Sequence, residues 1–294
     1  MKCIIPKHSG FCFGVSLAVN AAYENLNEHT YMLGEVVHNP SVINDLQLKG
    51  LKLINSIDEI SQKDASILIR AHGVPENVIS ELGQRNLGII DKTCPKVKKV
   101  HDIVADASER GLDIIVVGTP NHPEIVGTIG WSRTKTVLLH DISDAKRIIP
   151  DTKFSENGVC MVAQTTHNEK VYQEIYNYCT EFIPNIEFHN TICNATANRQ
   201  NEIRELAKTC DAVIVVGGKT SSNVTKLYEI ASEYCSNTQH VEAAAEIDVD
   251  RLKRVSTLVI STGASTPDDS IQSAIQVLQN YCDLNDITLE IVKN

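Results

Sequence analysis

A chain of 294 residues can bury a substantial core and is long enough for about two domains, with one large or three small domains also possible. Its formal net charge of −10 argues against nucleic acid as a main partner, because a phosphate backbone attracts clustered Lys and Arg. The sequence contains neither an apolar run near the roughly 20 residues of a membrane span nor the pattern of a signal peptide. We therefore expect a cytoplasmic monomer that binds neither membrane nor nucleic acid.

Strand-like apolar runs alternate with amphipathic stretches along the whole chain. In chain order, the clearest runs are ASILIRA (65–71), LDIIVVG (112–118), GVCMVAQ (158–164), DAVIVVGG (211–218) and STLVIST (256–262). Near-continuous apolar strands separated by helices are typical of parallel sheets that are buried on both faces. The sequence therefore predicts an α/β protein.

The pattern repeats three times, and each repeat carries a cysteine just before a helical stretch. These cysteines are Cys12, Cys94 and Cys193. The glycine that ends the next strand follows after 22, 24 and 24 residues, at Gly34, Gly118 and Gly217. This near-equal spacing places each cysteine at the same point of a repeated unit. We predict three α/β/α lobes related by a pseudo-threefold axis, each built on a mainly parallel sheet of about four strands.

The predicted lobes comprise residues 1–95 with Cys12, residues 96–191 with Cys94 leading into them, and residues 192–294 with Cys193 leading into them. No Gly/Ser-rich linker separates them, so we expect one compact functional unit. In open parallel sheets, ligands bind at the carboxyl ends of the strands. Each lobe would therefore bring one cysteine and two polar loops to a shared centre.

The three matched cysteines favour a metal cluster at that centre. Three thiolates suit a cubane iron-sulfur cluster whose fourth iron is open, so the lobes would surround a central cluster. Zinc is the main alternative, but structural zinc generally takes four protein ligands with closely spaced pairs, and the chain has no CxxC. The remaining cysteines are expected to be small buried hydrophobic residues. They are Cys3, Cys160, Cys179, Cys210, Cys235 and Cys282.

Three histidines follow predicted strands, where an imidazole can donate a hydrogen bond to an anion or carry a proton. They are His38, His72 and His122. Glu124 lies two residues after the last of them and is a candidate general acid if its surroundings raise its pKa. Stabilisation of the first helical turn is an equally good explanation for a glutamate at this position.

The third repeat has hydroxyl and amide side chains where the other two have histidine. These are Ser221, Ser222 and Asn223 at one predicted helix start and Ser265 at another. Such residues cap helices, and caps together with free backbone N–H groups also form a cradle for an anion. We expect a phosphate-bearing substrate. The sequence has neither a Walker motif nor GxGxxG, so a nucleoside triphosphate or a dinucleotide is not favoured.

A set of motifs carries a family resemblance over the range from Gly10 to about Asp268. In order they are GFCFGV, EVVHN, RAHGV, TCPKV, HPE, QTT, TICNAT with NRQ, SSN and GAS. The chain resembles the 4-hydroxy-3-methylbut-2-enyl diphosphate reductases of the non-mevalonate isoprenoid pathway. The resemblance implies a [4Fe-4S] cluster on the three matched cysteines. The open iron would take the allylic hydroxyl, which leaves as water to give isopentenyl and dimethylallyl diphosphates.

The resemblance also implies roles for the loop residues and for a partner. Glu124 and Thr165 would form the proton relay, and a ferredoxin or a flavodoxin would supply electrons. The diphosphate would be held by His38, His72, His122, Thr165, Ser221, Ser222, Asn223 and Ser265. The chain departs from the common pattern at Asn121, Thr220 and His167, which affects loop details and replaces none of these residues.

Two other functions remain open from the sequence. The first is an enzyme similar to quinolinate synthase, which also looks like three α/β lobes around a three-cysteine cluster. The SSN and HPE loops argue against this alternative. A redox sensor or electron carrier would use the cluster only to exchange electrons. Polar loops around an open iron would then have no use, and this favours an enzyme.

Overall fold

The computed structural model describes residues 1–37 and 39–293, in which strands and helices alternate. The strands are β1 (Lys2–Ile5), β2 (Thr30–Leu33), β3 (Lys52–Ile54), β4 (Ser66–Ile69), β5 (Gly88–Asp91), β6 (Asp113–Val117), β7 (Thr136–Leu139), β8 (Val159–Ala163), β9 (Ile186–Phe188), β10 (Ala212–Val216), β11 (Thr238–Val241), β12 (Thr257–Thr262) and β13 (Glu290–Lys293). The α-helices are α1 (Phe13–Glu24), α2 (Pro40–Leu48), α3 (Glu76–Gln84), α4 (Pro95–Glu109), α5 (Pro123–Ile129), α6 (Ile142–Ile148), α7 (Glu169–Cys179), α8 (Asn194–Ala207), α9 (Ser222–Tyr234) and α10 (Asp268–Leu284). Short 3-10 helices lie at Ile57–Glu59, Ala244–Glu246 and Val249–Leu252. Within the described residues, no helix combines the length and the apolar character needed to cross a membrane.

The strands form three sheets in the described part of the chain, and every strand pair is parallel. Two sheets have four strands, in the orders β3-β2-β4-β5 and β7-β6-β8-β9. The remaining sheet has five strands, in the order β11-β10-β12-β1-β13. The predicted α/β fold with three parallel sheets is therefore confirmed, with one more strand in the last sheet than expected.

The chain divides into two units. The first unit contains residues 1–13, 39–42 and 194–293 with the five-stranded sheet, and the second contains residues 14–37 and 43–193 with both four-stranded sheets. Strand β1 lies between β12 and β13, although the predicted boundaries assign it to the first lobe. A four-residue strand carries no local signal for the sheet it joins, and β2 to β5 form a complete sheet without it. The division into lobes at residues 95 and 191 stays a prediction.

In the first unit, helices cover both faces of the sheet at β10. Alternate residues of this strand point to opposite faces and therefore enter two different cores. In β10, Ala212, Ile214 and Val216 belong to a core that α10 covers, and Val213 and Val215 belong to another core under α8 and α9. All five residues of this strand are buried. This explains why its sequence is a continuous apolar run.

The second unit repeats the arrangement around β6. Ile115 and Val117 face a core that includes residues of α6 and α7, whereas Ile114 and Val116 face a core that includes residues of α4 and α5. All five residues of β6 and of β8 are buried. Apart from Asp113 at the start of β6, the residues of these two strands are apolar, and the predicted site residues of this unit lie beyond the strand ends.

Two leucines of α10 differ sharply in burial. Leu278 is fully buried and Leu284, in the last turn of the same helix, is 85% exposed. We expect Leu278→Ala to lower the free energy of unfolding by about 2–5 kcal/mol, because it removes buried methyl groups and leaves a cavity. Leu284→Ala is the matched control and should change this free energy by less than about 0.5 kcal/mol. Urea unfolding measures both, and similar losses in the two variants would contradict the packing of α10.

Candidate active site

The second unit holds a buried carboxyl group at the start of α5. Glu124 is only 2% exposed, and the preceding proline occupies the first turn, where a missing N–H costs nothing. Its Oε1 accepts a hydrogen bond from the backbone N–H of Thr165 at 2.6 Å, and its Oε2 accepts one from the Thr165 hydroxyl at 2.9 Å. Thr165 lies just beyond the end of β8. The predicted pair of Glu124 and Thr165 is therefore in direct contact.

Burial changes the acidity of this carboxyl group. Removal from water disfavours the charged form and raises the pKa of Glu124 to about 7, although the two hydrogen bonds from Thr165 act in the opposite direction. Near neutral pH the side chain is consequently present in both its protonated and its ionised form. A carboxyl group with this property can hold and release a proton under the conditions in which enzymes work.

Two imidazoles lie beside this carboxyl group. His122 is the N-cap of α5, and its Nδ1 accepts a hydrogen bond from the backbone N–H of Glu124 at 3.2 Å. In the neutral ring the proton must then be on Nε2. The ring of His72, from the loop after β4, meets the His122 ring edge to face with centroids 5.3 Å apart. Two predicted histidines from neighbouring sheets are therefore adjacent.

A third histidine, which the sequence placed outside the repeat loops, supports the turn after His72. His101 in α4 is 4% exposed, and it stacks on Trp131 with ring centroids 5.3 Å apart. The Trp131 indole donates a hydrogen bond to the backbone oxygen of Val74 at 3.0 Å. A Cβ atom at Gly73 would lie 2.6 Å from the His101 ring, and the φ of Gly73 is +71°, so only glycine fits this turn. Burial lowers the pKa of His101 to about 4, so the ring is neutral.

Two of the predicted cysteine ligands also belong to the second unit. Cys94 is the N-cap of α4, and its N–H donates to the backbone oxygen of Ala71, next to His72, at 3.0 Å. The N–H of Cys193 donates to the backbone oxygen of Thr165 at 2.9 Å. Both side chains are partly exposed. A Cβ atom at Gly14 would lie 2.5 Å from the Cys94 sulfur, so the glycine keeps space beside this thiol clear.

The first unit contains the third cysteine, Cys12, in the loop between β1 and α1. Its N–H donates to the backbone oxygen of Ala264 at 3.1 Å, and its side chain is partly exposed. The preceding turn is fixed at Gly10, whose N–H donates to the Thr262 hydroxyl at 2.8 Å and whose oxygen accepts from the buried Arg199 at 2.9 Å. Arg199 was not foreseen from the sequence, although it lies in the NRQ motif.

The predicted polar residues of the third repeat come together in this unit. The hydroxyl of Ser265 lies 3.5 Å from that of Ser221, the N-cap of α9, and Ser222 begins this helix. Asn223 is 4% exposed, and neither its amide nitrogen nor its amide oxygen has a hydrogen-bond partner among the described residues. A buried amide without partners is costly, so this group fits a site that a polar ligand completes.

Some positions in these loops were missed or lie outside the described residues. His38 is outside the described residues, so its predicted role stays a prediction. Its neighbour Asn39 is buried, caps the start of α2 and donates to the backbone oxygen of Ser265 at 3.0 Å. Gln164 is also buried and accepts from the N–H of Thr119 at 2.9 Å, which joins the loops after β8 and β6. Both lie inside recognised motifs, but their contacts depend on residues distant in sequence.

The exposure and the acidity of the cysteines indicate which of them could hold an iron-sulfur cluster. Among residues 1–37 and 39–293, no three His, Cys, Asp or Glu side chains are grouped as a metal site. Burial raises the pKa of the Cys3 and Cys160 thiols to about 12 and that of Cys179 to about 11, so these groups resist becoming thiolates. Cys12, Cys94 and Cys193 are instead partly exposed at loop positions. Cys210 is also partly exposed, but burial raises the pKa of its thiol, so Cys12, Cys94 and Cys193 are the thiols better suited to metal binding.

The comparison with known families decides what kind of protein this is. A family model described as "LytB protein" matches residues 3–279. The chain belongs to the LytB family. Membership of the LytB family implies an iron-sulfur cluster, which agrees with the donors described above.

Several LytB relatives match the chain over nearly its whole length. It is 40% identical to the 4-hydroxy-3-methylbut-2-enyl diphosphate reductase of Caldanaerobacter subterraneus subsp. tengcongensis, with 95% of this chain and 97% of that protein covered. It is 38% identical to the reductase of the same name from Clostridioides difficile, with 95% and 100% covered. The corresponding Aquifex aeolicus reductase is 37% identical, with 95% and 96% covered.

Two solved LytB structures are similar to the chain. The E-1-hydroxy-2-methyl-but-2-enyl-4-diphosphate reductase of Plasmodium falciparum matches with a TM-score of 0.91 and 28% identity, over 99% of this chain and 92% of that one. A structure of (E)-4-hydroxy-3-methyl-but-2-enyl diphosphate reductase, described as the terminal enzyme of the non-mevalonate pathway, matches with a TM-score of 0.67 and 35% identity. It covers 95% of this chain and 99% of its own.

The buried carboxyl group makes stability depend on pH. Because the pKa of Glu124 is about 7 in the folded chain and about 4.3 for a glutamate in water, the folded state binds the extra proton between these values. This stabilisation is present below about pH 4 and is lost as the pH rises to about 7. We expect Glu124→Gln, which does not titrate, to gain stability relative to the parent over this range, on the order of 3 kcal/mol. Urea unfolding from about pH 5 to pH 8 measures it, and parallel curves for the two proteins would contradict the raised pKa.

Proposed function

We propose that the chain reduces 4-hydroxy-3-methylbut-2-enyl diphosphate to isopentenyl diphosphate and dimethylallyl diphosphate. The reaction takes up two electrons and two protons, breaks the allylic C–O bond and releases one water. The buried carboxyl of Glu124, bound to Thr165 beside two imidazoles, is the observation that carries this proposal. Full-length similarity to reductases of this name supports it and favours it over a quinolinate synthase or an electron carrier.

We propose that the cofactor is a [4Fe-4S] cluster on Cys12, Cys94 and Cys193, which leaves one iron without a protein ligand. When bound, the cluster supplies electrons one at a time and acts as a Lewis acid towards the substrate hydroxyl. In support, each of these cysteines precedes a helix, and each is partly exposed. The backbone N–H of each donates to the loop that follows a strand, so the backbone at each cysteine is held by the fold.

The diphosphate would be held by polar residues of the loops and helix starts. His38, His72 and His122 would donate from their imidazoles, and a neutral His122 ring carries its proton on Nε2, because its Nδ1 accepts from the N–H of Glu124. Ser221, Ser222, Asn223 and Ser265 would donate from the first unit, where the Asn223 amide lacks a protein partner among the described residues. Binding of the charged end would fix the carbon end of the substrate, which is catalysis by positioning.

Glu124 would supply a proton through the Thr165 hydroxyl. When Glu124 is protonated, the 2.9 Å contact between its Oε2 and Thr165 Oγ1 allows the carboxyl to donate to the hydroxyl. Thr165 can pass a proton on as it accepts one, so the two residues act as a relay to the departing oxygen. Thr165 would also contact the substrate. The pKa of about 7 keeps the relay loaded near neutral pH.

The remaining partners follow from the reaction. We propose a ferredoxin or a flavodoxin as electron donor, because the substrate supplies no electrons and the chain has no dinucleotide motif. The protein would act in the cytoplasm as a monomer. Its net charge of −10 is consistent with the expectation that it does not bind nucleic acid.

The proton relay predicts a selective loss in Glu124→Gln. We expect the variant to keep its cluster and its substrate affinity but to lose about 10²–10⁴-fold in kcat, because the amide cannot donate the carboxyl proton. Single-turnover product formation, with substrate binding measured separately, checks this. The exposed Glu181→Gln is the matched control and should retain its activity. A near-normal kcat in Glu124→Gln would rule out the proton role.

The ligand assignment predicts different outcomes for two cysteines. Cys193→Ser should prevent a stable cluster, because a serine hydroxyl is a poor ligand for iron-sulfur centres. Cys160→Ser should keep the cluster, because Cys160 is fully buried in the apolar strand β8, although it should lose some stability. Iron and sulfide counts on the two proteins decide the matter. Equal loss of iron from both variants would contradict the assignment.

A further inference from the structure

The start of α4 carries positive charge in an otherwise acidic protein. Four of the eight residues from 92 to 99 are lysine and none is acidic, in a chain whose formal net charge is −10. This segment includes Cys94, the N-cap of the helix. The positive charge is therefore concentrated beside one of the three proposed cluster ligands.

Most of these lysines are available to a partner. Lys96, Lys98 and Lys99 are exposed, and Lys92 is partly exposed. Lys98 pairs with Asp91 at 2.7 Å, whereas Lys92, Lys96 and Lys99 form no ion pair with another described residue. We define these three as the α4 lysine surface. Lys96 and Lys99 are three residues apart and so lie on one face of the helix.

The face of α4 opposite to this surface is fixed by packing. Val97, Val100, His101 and Val104 are buried, and they hold the helix against β6 and the loop after β4. The helix is therefore a rigid platform for the lysines rather than a loose segment. A charge array on a rigid element keeps its geometry while a partner approaches.

The helices that follow the other two cysteines have no such surface. Helix α1 contains neither Lys nor Arg. In the first turns of α8 the basic residue is Arg199, which is 5% exposed and is bound to the backbone oxygen of Gly10. The positive surface is thus confined to the cysteine of the second repeat.

We propose that the α4 lysine surface docks an acidic one-electron carrier protein, which delivers electrons beside Cys94. The proposal rests on the proposed reductase function. Two reduced carriers would each lose one electron, and these electrons with two protons convert the substrate into product and water. The net negative charge of the chain disfavours the approach of an acidic protein to the rest of its surface. The α4 lysine surface attracts such a protein and so orients it when the two proteins meet. Electron-transfer encounters use small interfaces, which a few charged residues can guide.

The double variant Lys96→Glu/Lys99→Glu tests the docking surface. Cluster-loaded protein is mixed in stopped flow with a pre-reduced acidic ferredoxin, or with reduced methyl viologen, a small cation that needs no docking. At about 0.05 M ionic strength we expect the second-order rate constant with ferredoxin to fall at least about tenfold, and the loss to shrink at about 0.5 M salt. The rate with methyl viologen should not fall. Binding of oxidised ferredoxin, measured by calorimetry, should weaken by a similar factor.

The matched control is Lys146→Glu/Lys153→Glu, which gives the same change in net charge. Both control lysines are exposed, and neither lies on α4. An equal loss of rate in the control, or an unchanged ferredoxin rate and affinity in the test variant, would overturn the docking surface. The proposed function is tested separately by the native protein reduced with methyl viologen. If that protein forms no product from the diphosphate substrate, the reaction is wrong, whatever the ferredoxin data show.

Discussion

A carboxyl group without access to water must be neutral or well hydrogen-bonded. Both hydrogen bonds described for the Glu124 carboxyl group come from Thr165. Thr165 uses its N–H and its hydroxyl for the carboxyl group and its backbone oxygen for the N–H of Cys193. One residue at the end of β8 thus sets the position of the proton-holding group and of a thiol. A reaction that couples proton uptake to electron transfer would need the carboxyl group and the cysteine to keep fixed positions relative to each other.

The loops depend in turn on what lies beneath them. Strands β6, β8 and β10, which lead into them, are buried along their whole length, so each of these loops begins from a fixed strand end. In the second unit, the turn after His72 rests on the neutral ring of His101, and the indole of Trp131 holds the backbone at Val74. This layer supports the turn after His72, whose ring meets that of His122.

The sequence predicts what is periodic or local. Apolar runs give the parallel sheets, and spacing singles out three of nine cysteines, since both are patterns along the chain. The contact between Glu124 and Thr165 joins residues 41 positions apart, and the sequence alone suggests it only through the family resemblance. The supporting role of His101 is hidden because its partners come from two different repeats. The burial of the Asn223 amide depends on how α9 meets the strand ends, which no local pattern describes.

Strand β1 has a consequence for how the chain folds as it is made. Among the described strands it is synthesised before all others, but its two neighbours, β12 and β13, come after all of the other strands. On the ribosome, this strand must remain without its neighbours until β12 and β13 have emerged. The second unit, from residue 14 to residue 193 apart from one short segment, can meanwhile bury its two sheets. The loop with Cys12 therefore acquires its final surroundings only when β1 has joined β12 and β13 in one sheet.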